Sequence, residues 1–360
     1  MKKRVILLLC VVMLMSMALV GCSSNNSGKS EFEIALVIAT GSVDDKSFNQ
    51  GAWEGITKFA DETNKTYKYY QATDQSAAAI ENAIDLAVLG GAKVVICPGY
   101  LFEKPLYAAQ EKYPEVTFIM FDGSPTDDSG NVAIAENTST FTYSEEQAGF
   151  LAGYAAVKDG YRKLGFMGGI AVPPVVRFGY GFVQGAEYAA KELGLDAKEV
   201  EINYSYLGTF DAAPDITVKA SSWYTNGTEV IFACGGSIGN SIMSAAEQAN
   251  KAVIGVDVDQ SVESSSVITS AMKNIAKTAY DELKQFYDGT LVKGNSTILD
   301  VTTESVLLPM ETSKFTNFTV EDYNKIYGEL VNGVVTIYGD TSFKTVTDLP
   351  VEKVSVIDLK

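Results

Sequence analysis

The chain contains no histidine. That absence excludes histidine-based general acid–base work, a Ser-His-Asp triad and histidine-ligated metals. Cysteine is scarce, at four in 360 residues, and the four are too scattered for a disulfide framework or a zinc ribbon. Positive charge is short as well: 28 Lys and Arg stand against 45 Asp and Glu, a net charge of −17. A nucleic-acid partner is excluded on that ground, because such partners need basic patches to replace counterions. The glycines at 235–236 do not sit in a GxGxxG fingerprint, and no Walker A motif occurs anywhere. What is present is an ordinary 46% of hydrophobic residues. The length suggests about two domains, with enough chain for two cores.

The N-terminus carries a long apolar run. Lys2, Lys3 and Arg4 precede residues 5–20, which hold a single hydroxyl, Ser16. The run is short for a stable membrane span and reads as a secretory signal peptide over residues 1–21. It ends in Leu19-Val20-Gly21-Cys22, which resembles the lipobox of bacterial lipoproteins, whose Cys becomes the lipid-modified first residue of the mature chain. Residues 23–30 are Ser, Asn, Gly and Lys only, so 22–31 reads as a lipidated Cys22 and a flexible tether. Processing there removes three positive charges and no acidic one, which leaves the mature chain more acidic still. Cys97 and Cys234 lie in apolar, strand-like runs and read as buried thiols, with a disulfide between them left open.

Beyond the tether, strands and helices alternate. Residues 32–40 (FEIALVIAT) form a continuous apolar run, as expected of a strand buried on both faces. Phe48, Ala52, Ile56 and Phe59 then recur at helical spacing. The same reading places strands at 67–72, 93–97, 116–121 and 132–135, and helices at 76–89 and 102–113. A second series begins with a helix at 144–157. It continues with strands at 163–167, 199–204, 229–233, 252–256 and 267–270, and helices at 178–193, 214–225, 242–250 and 275–287. After Gly289 the signals weaken to a short helix at 320–330 and a strand at 334–338. Strict alternation implies parallel α/β sheets. Two series of similar length fit two doubly wound lobes better than a TIM barrel, which needs one unbroken series of eight units.

Ligands of parallel α/β sheets sit beyond the carboxyl ends of the strands, so the strand-to-helix junctions are where chemistry is expected. The first, 41–50 (GSVDDKSFNQ), offers Asp45, Phe48 and Asn49 around a helix N-terminus. Capping alone would account for Asp45 or Ser47. Later junctions supply Asp122, Arg177, the pair Gly235-Gly236, Asp257 and Lys273, with Phe232 as a second aromatic. Arg177 presents a planar fork of donors, though in so acidic a chain it could equally pair with a carboxylate. Carboxylates accept from vicinal hydroxyls, aromatic faces suit a flat base, and a polyol joined to a planar ring is a nucleoside. A sugar or an amino acid remains open on this chemistry alone. No Asp-rich metal cluster gathers at one strand end, which disfavours a secreted nucleoside hydrolase.

Five segments resemble the basic membrane protein family: VDDKSFNQGAWEG (43–55), PPVVRFGYGF (173–182), VIFACGG (230–236), VIGVDVDQ (253–260) and ITSAMKN (268–274). These are substrate-binding lipoproteins of ABC transporters, and characterised members bind purine nucleosides. The resemblance covers roughly residues 32–300. It implies a two-lobed type I periplasmic-binding-protein fold, two doubly wound parallel sheets joined by three crossovers. The N-terminal lobe is then expected at 32–140 plus 266–300, and the C-terminal lobe at 141–265 plus 301–360. It also implies a monomeric, lipid-anchored, extracytoplasmic receptor with an ABC permease as partner, no cofactor and no catalysis. A receptor for a sugar or sugar-like signal is the alternative on the same fold. By the resemblance Phe48 and Phe232 sandwich the base, and Asn49 and Asp122 lie near the base and cleft. Asp257 and Lys273 contact the ribose hydroxyls, with Gly235 and Gly236 lining that wall. One departure stands out: Thr40 is followed by Gly41-Ser42, where some purine-binding members carry an Asp. Arg177 is the candidate to compensate.

Overall fold

The computed structural model describes residues 32–359. In chain order the elements are β1 (Ile34–Ile38), α1 (Phe48–Thr63), β2 (Tyr67–Gln71), α2 (Ala77–Leu89), β3 (Val94–Pro98), α3 (Glu103–Lys112), β4 (Thr117–Phe121) and β5 (Thr138–Tyr143). There follow α4 (Glu145–Asp159), β6 (Lys163–Gly168), α5 (Pro173–Glu192), β7 (Val200–Tyr206), α6 (Pro214–Thr225), β8 (Val230–Cys234), α7 (Ile238–Ala249), β9 (Ala252–Asp257) and β10 (Val267–Lys273). The chain ends with α8 (Ile275–Asp288), β11 (Asn295–Leu299), β12 (Val306–Leu307), α9 (Val320–Val331) and β13 (Val354–Asp358). None of the described helices is long and apolar enough to cross a membrane.

Two sheets form. The first is parallel throughout, in the order β11-β5-β4-β3-β1-β2. The second runs β12-β10-β9-β8-β6-β7-β13 and is parallel except for the antiparallel β10–β12 edge. Inner strands such as β1, β3, β4, β8 and β9 are buried at every position, which is why they read as unbroken apolar runs. The chain passes between the lobes three times: at Tyr143–Glu145, at Lys273–Ile275 and at Leu299–Val301. These passages are hydrogen-bonded together: Ser144 N donates to Leu299 O at 2.9 Å, and Asn274 N donates to Ser305 O at 2.8 Å.

The expected lobe boundaries need correction at two points: β5 belongs to the first sheet through Tyr143, so the first lobe runs past residue 140. β10 lies in the second sheet, so the return to the first lobe comes not at 266 but after Lys273, with α8. There α8 packs on α1 so closely that a Cβ on Gly55 would lie 2.2 Å from the Ala276 carbonyl oxygen. The strand expectations also change. The strand expected at 132–135 is only an isolated bridge between Thr126 and Val132, and the fifth strand is β5 at 138–143. Its sequence, TSTFTY, is mostly hydroxyl-bearing, yet Thr138, Ser139 and Thr140 are wholly buried. Residues 334–338 form no strand, because the Gln184 amide takes the pairing role: it accepts from Tyr338 N at 2.8 Å and donates to Tyr338 O at 3.0 Å. β11, β12 and β13 were not expected at all.

Within the second lobe, α4 and α5 press together through glycines. A Cβ on Gly149 would lie 2.1 Å from the Phe178 carbonyl oxygen, and one on Gly181 would lie 2.0 Å from the Glu146 carbonyl oxygen. Both helices therefore approach backbone to backbone, and the first turns of both are held at the interlobe cleft. Pro173 and Pro174 open α5, where a missing N–H costs nothing. Cys97 and Cys234 are buried free thiols in strands of different sheets, so they do not bridge.

Candidate functional site

The cleft between the lobes collects the carboxyl ends of strands from both sheets. Its empty space is about 790 Å³, part of it open to solvent. The first lobe contributes Asp45, Phe48, Asn49 and Asp122 to its lining. The second contributes Gly235, Gly236, Asp257 and Lys273. Eight of the ten expected residues thus face one cavity.

Asp122, just past β4, and Asp257, the last residue of β9, lie in the left-handed region, with φ of 58° and 66°. Asp tolerates that region better than most residues, and the turn swings both carboxylates into the cleft. Between them lies Lys273, the last residue of β10, with only 2% of its side chain exposed. Its Nζ donates to Asp122 Oδ2 at 2.5 Å and to Glu145 Oε1 at 3.4 Å, and lies 3.5 Å from Asp257 Oδ1. Nζ also sits 4.5 Å from the centre of the Phe48 ring and 5.5 Å from that of Phe178, within cation–π range. Burial alone would favour the neutral amine. The carboxylates of Asp122, Asp257 and Glu145 overcome it and hold the Lys273 pKa above its ordinary value. Burial pushes the Asp122 carboxyl up to about 7 against the pull of that ammonium. Its second oxygen, Oδ1, is buried and accepts no hydrogen bond from any described residue.

Asp45 both caps α1 and faces the cleft. Its carboxylate accepts from the backbone N–H groups of Ser47 at 2.9 Å, Asn49 at 3.1 Å and Gln50 at 3.1 Å. Ser47, at the N-cap position itself, instead donates its hydroxyl to Asp257 Oδ2 across the lobes at 2.5 Å. Asp44 is exposed and accepts from Ser42 Oγ, so of the acidic pair it is Asp45 that turns inward. The Asn49 amide donates to Thr40 O at 3.0 Å, which fixes the loop after β1.

Two expected residues lie elsewhere. Phe232 is fully buried beneath the cleft, edge-on to Phe166 and Phe178 and tilted against Phe182, with ring centres 5.3–5.8 Å away. It belongs to the aromatic core. A strand-interior residue two positions before the strand end points into the sheet packing, not beyond it. Arg177 does not line the cleft either. It lies in the second turn of α5, where its Nε donates to Glu145 Oε2 at 2.6 Å and its Nη1 reaches Asp340 Oδ2 at 3.4 Å. The pairing with carboxylates, open from the sequence, is what forms.

Three aromatics that line the cleft were not anticipated: Tyr100, Phe178 and Phe210. Phe178 is one residue past Arg177 in a motif already noted. Phe210 lies in the β7-to-α6 junction, and the strand-end rule would have found it had that junction been read. Its ring rests on glycines: a Cβ on Gly169, Gly235 or Gly236 would come within 2.5, 3.0 and 3.1 Å of Phe210 atoms. Gly235 and Gly236 therefore shape the wall by admitting Phe210 as well as by exposing backbone.

The sequence matches the family described as Bmp, ABC transporter substrate-binding protein PnrA-like, over residues 32–341. Among curated relatives, the ABC transporter nucleoside-binding protein BmpA of Lactococcus lactis subsp. cremoris is 27% identical, the alignment spanning 94% of this chain and 99% of that protein. Basic membrane protein D of Borreliella burgdorferi is 28% identical over 89% of this chain and 92% of its own length. A solved ABC transporter solute-binding protein from Aeropyrum pernix K1 superposes with a TM-score of 0.75 at 19% identity, covering 88% and 96% of the two chains. That likeness carries the type I periplasmic-binding-protein fold, as the resemblance implied. With the family match spanning nearly all the described residues, the chain belongs to the Bmp family of PnrA-like substrate-binding proteins of ABC transporters.

Proposed function

We propose that the chain is a nucleoside receptor, with a purine nucleoside held in the interlobe cleft and delivered to an ABC permease. The observation that carries this reading is the juxtaposition at Lys273: a buried ammonium flanked by Asp122 and Asp257, with the Phe48 ring 4.5 Å away. Charged acceptors and a donor suit ribose hydroxyls, each such bond being worth roughly 1.5–3 kcal/mol net. The aromatic faces of Phe48, Phe178 and Phe210 suit a flat base, at about 1 kcal/mol beyond area burial per contact. The naming of the Lactococcus relative as nucleoside-binding supports the same reading. A ligand that needs both halves binds far better intact than in pieces. Titration calorimetry with adenosine, guanosine, adenine, ribose and AMP tests this. Nucleosides should bind at least a hundredfold tighter than free base or ribose, and AMP should bind poorly, because its phosphate enters a cleft lined by Asp45, Asp122 and Asp257. Tight ribose binding without nucleoside binding would instead establish the sugar receptor.

The lipid anchor at Cys22 belongs to this proposal and lies outside the described residues. Cys22→Ala should move the protein from the membrane fraction to the soluble fraction with its thermal unfolding unchanged. A wild-type protein already wholly soluble, with an unmodified Cys22, would remove the anchor from the reading.

A further inference from the structure

Glu145 and Arg177 touch the cleft only through another residue. Glu145, the first residue of α4, is completely buried, and neither it nor Arg177 lines the cavity. Its two oxygens point opposite ways, Oε1 to Lys273 Nζ at 3.4 Å and Oε2 to Arg177 Nε at 2.6 Å. Arg177 continues to Asp340 at 3.4 Å. A chain of alternating charge thus runs Asp340, Arg177, Glu145, Lys273 and ends on Asp122 and Asp257. The helices that carry its middle members cannot slide, because Gly149 and Gly181 seat α4 and α5 against each other's backbone. Glu145 closes the first interlobe passage, and Lys273 opens the second.

An ammonium has three donors. Asp122 takes one at 2.5 Å, Glu145 takes a second over a long 3.4 Å, and the third faces Asp257 Oδ1, a cavity-lining carboxylate, at 3.5 Å. The short bond from Arg177 is what holds Glu145 back. Without it, the whole charge of Glu145 bears on Lys273, and the short contact forms there instead. That would draw the ammonium toward α4 and away from the cavity.

We propose that Arg177, by holding Glu145 at a distance, is a positioning residue that keeps Lys273 on the cavity side, where the donor facing Asp257 can serve the sugar hydroxyls of the ligand. Asp340 anchors Arg177 in turn. The inference rests on the nucleoside reading, since it assigns Lys273 to the sugar half. It separates two effects that ordinary destabilisation would not: affinity for the intact nucleoside depends on the chain of charges, and affinity for the free base does not.

The test compares Arg177→Met, Arg177→Lys and Asp340→Asn with wild type, by calorimetry on the purine nucleoside that wild type binds most tightly and on its free base. Arg177→Met should lose at least tenfold in nucleoside affinity while base affinity stays within twofold. Arg177→Lys, which keeps the charge but not the fork, should recover part of that loss. Asp340→Asn should show a smaller loss of the same kind. Should Arg177→Met fail to fold, Arg177→Lys and Asp340→Asn carry the comparison, since both keep a partner for Glu145. Equal losses for nucleoside and base, or no loss in any variant, would overturn the positioning role. Failure of wild type to bind any purine nucleoside would instead overturn the nucleoside reading.

Discussion

At the scale of single residues, the cleft gathers more buried acid than it neutralises. Asp45 illustrates the consequence. Burial pushes its carboxyl from the ordinary 3.8 up to about 6, against the backbone N–H groups of Gln50, Ser47 and Asn49, with Asp257 adding to the rise. The folded form then holds a proton that the unfolded chain has released. Stability from this group is therefore fully present below pH 3.8 and is lost as the pH rises through about 6. The interval corresponds to about 3 kcal/mol. Asp45→Asn removes the titration and keeps one carbonyl acceptor for the first turn of α1. Urea midpoints measured at unit steps from pH 4 to pH 7 should show wild type losing stability relative to the variant between pH 4 and 6. A constant difference across that range would refute the account. This residue also marks how far the site was legible. Junction position alone pointed to Asp45, Asp122, Asp257 and Lys273, because carboxyl ends of parallel strands open on the cleft. It could not separate Phe232 from Phe178. Both are aromatic residues near a junction, and only the packing of α5 on β8 decides which one meets the cavity.

At the scale of elements, what could be read depended on which face a strand shows to water. β1, β3, β4, β8 and β9 are buried throughout, and apolar but for Thr117 and the terminal Asp257, because helices cover both faces. β5 escaped notice because buried hydroxyls do the work of methyl groups there. Ser139 Oγ donates to Val292 O at 2.8 Å, and Thr140 Oγ1 shares a hydrogen with Ser124 Oγ at 3.2 Å. The Ser139 and Thr140 hydroxyls are acceptable in the core because they are bonded, while that of Thr138 has no partner among the described residues; no hydrophobic periodicity reports any of them. Residues 334–338 failed in the opposite sense, with a strand-like pattern whose partner is the Gln184 side chain. Helix packing yields a sharper test, because two glycines in helices should respond with opposite signs. Gly→Ala in a helix interior gains up to about 1 kcal/mol in propensity. Gly328, in α9, has nothing within 4 Å of its added Cβ, so Gly328→Ala should raise stability by up to that amount. Gly149 faces the Phe178 carbonyl oxygen at 2.1 Å. There overpacking, at about 3 kcal/mol, outweighs propensity, and Gly149→Ala should lower the thermal midpoint. It should also weaken ligand binding, since Phe178 and Glu145 sit on the two helices it drives apart. Shifts of the same sign in both variants would show that propensity, not the approach of α4 to α5, governs these positions.

At the scale of the whole molecule, the two lobes are joined by three chain passages and by bonds that cross the cleft mouth. Ser47 reaches Asp257, and Gln260 Nε2 donates to the Lys46 carbonyl oxygen at 2.7 Å. The neighbouring ion pair between Lys46 and Glu263, at 3.9 Å with both side chains partly exposed, adds little. Gln260 is suited to a test because it does not line the cavity and its two side-chain atoms do separate jobs. Oε1 accepts from Val256 N within the second lobe at 3.0 Å, and Nε2 makes the bridge to the first. Gln260→Glu keeps the first bond and replaces the second with two oxygens facing each other. Losing a buried bond and leaving the Lys46 oxygen opposed costs on the order of 1–3 kcal/mol, all of it charged to the closed arrangement. When the binding-competent arrangement is populated in a fraction f, the apparent dissociation constant rises by 1/f. The variant should therefore bind roughly five- to a hundredfold more weakly, although every cleft-lining residue is intact. Solution scattering should give the ligand-free variant a larger radius of gyration than ligand-free wild type, and saturating nucleoside should bring the two together. Unchanged affinity with an unchanged radius would mean that the Gln260 bridge does not hold the lobes. A weaker affinity with an unchanged radius would place the loss in the site itself and not in closure.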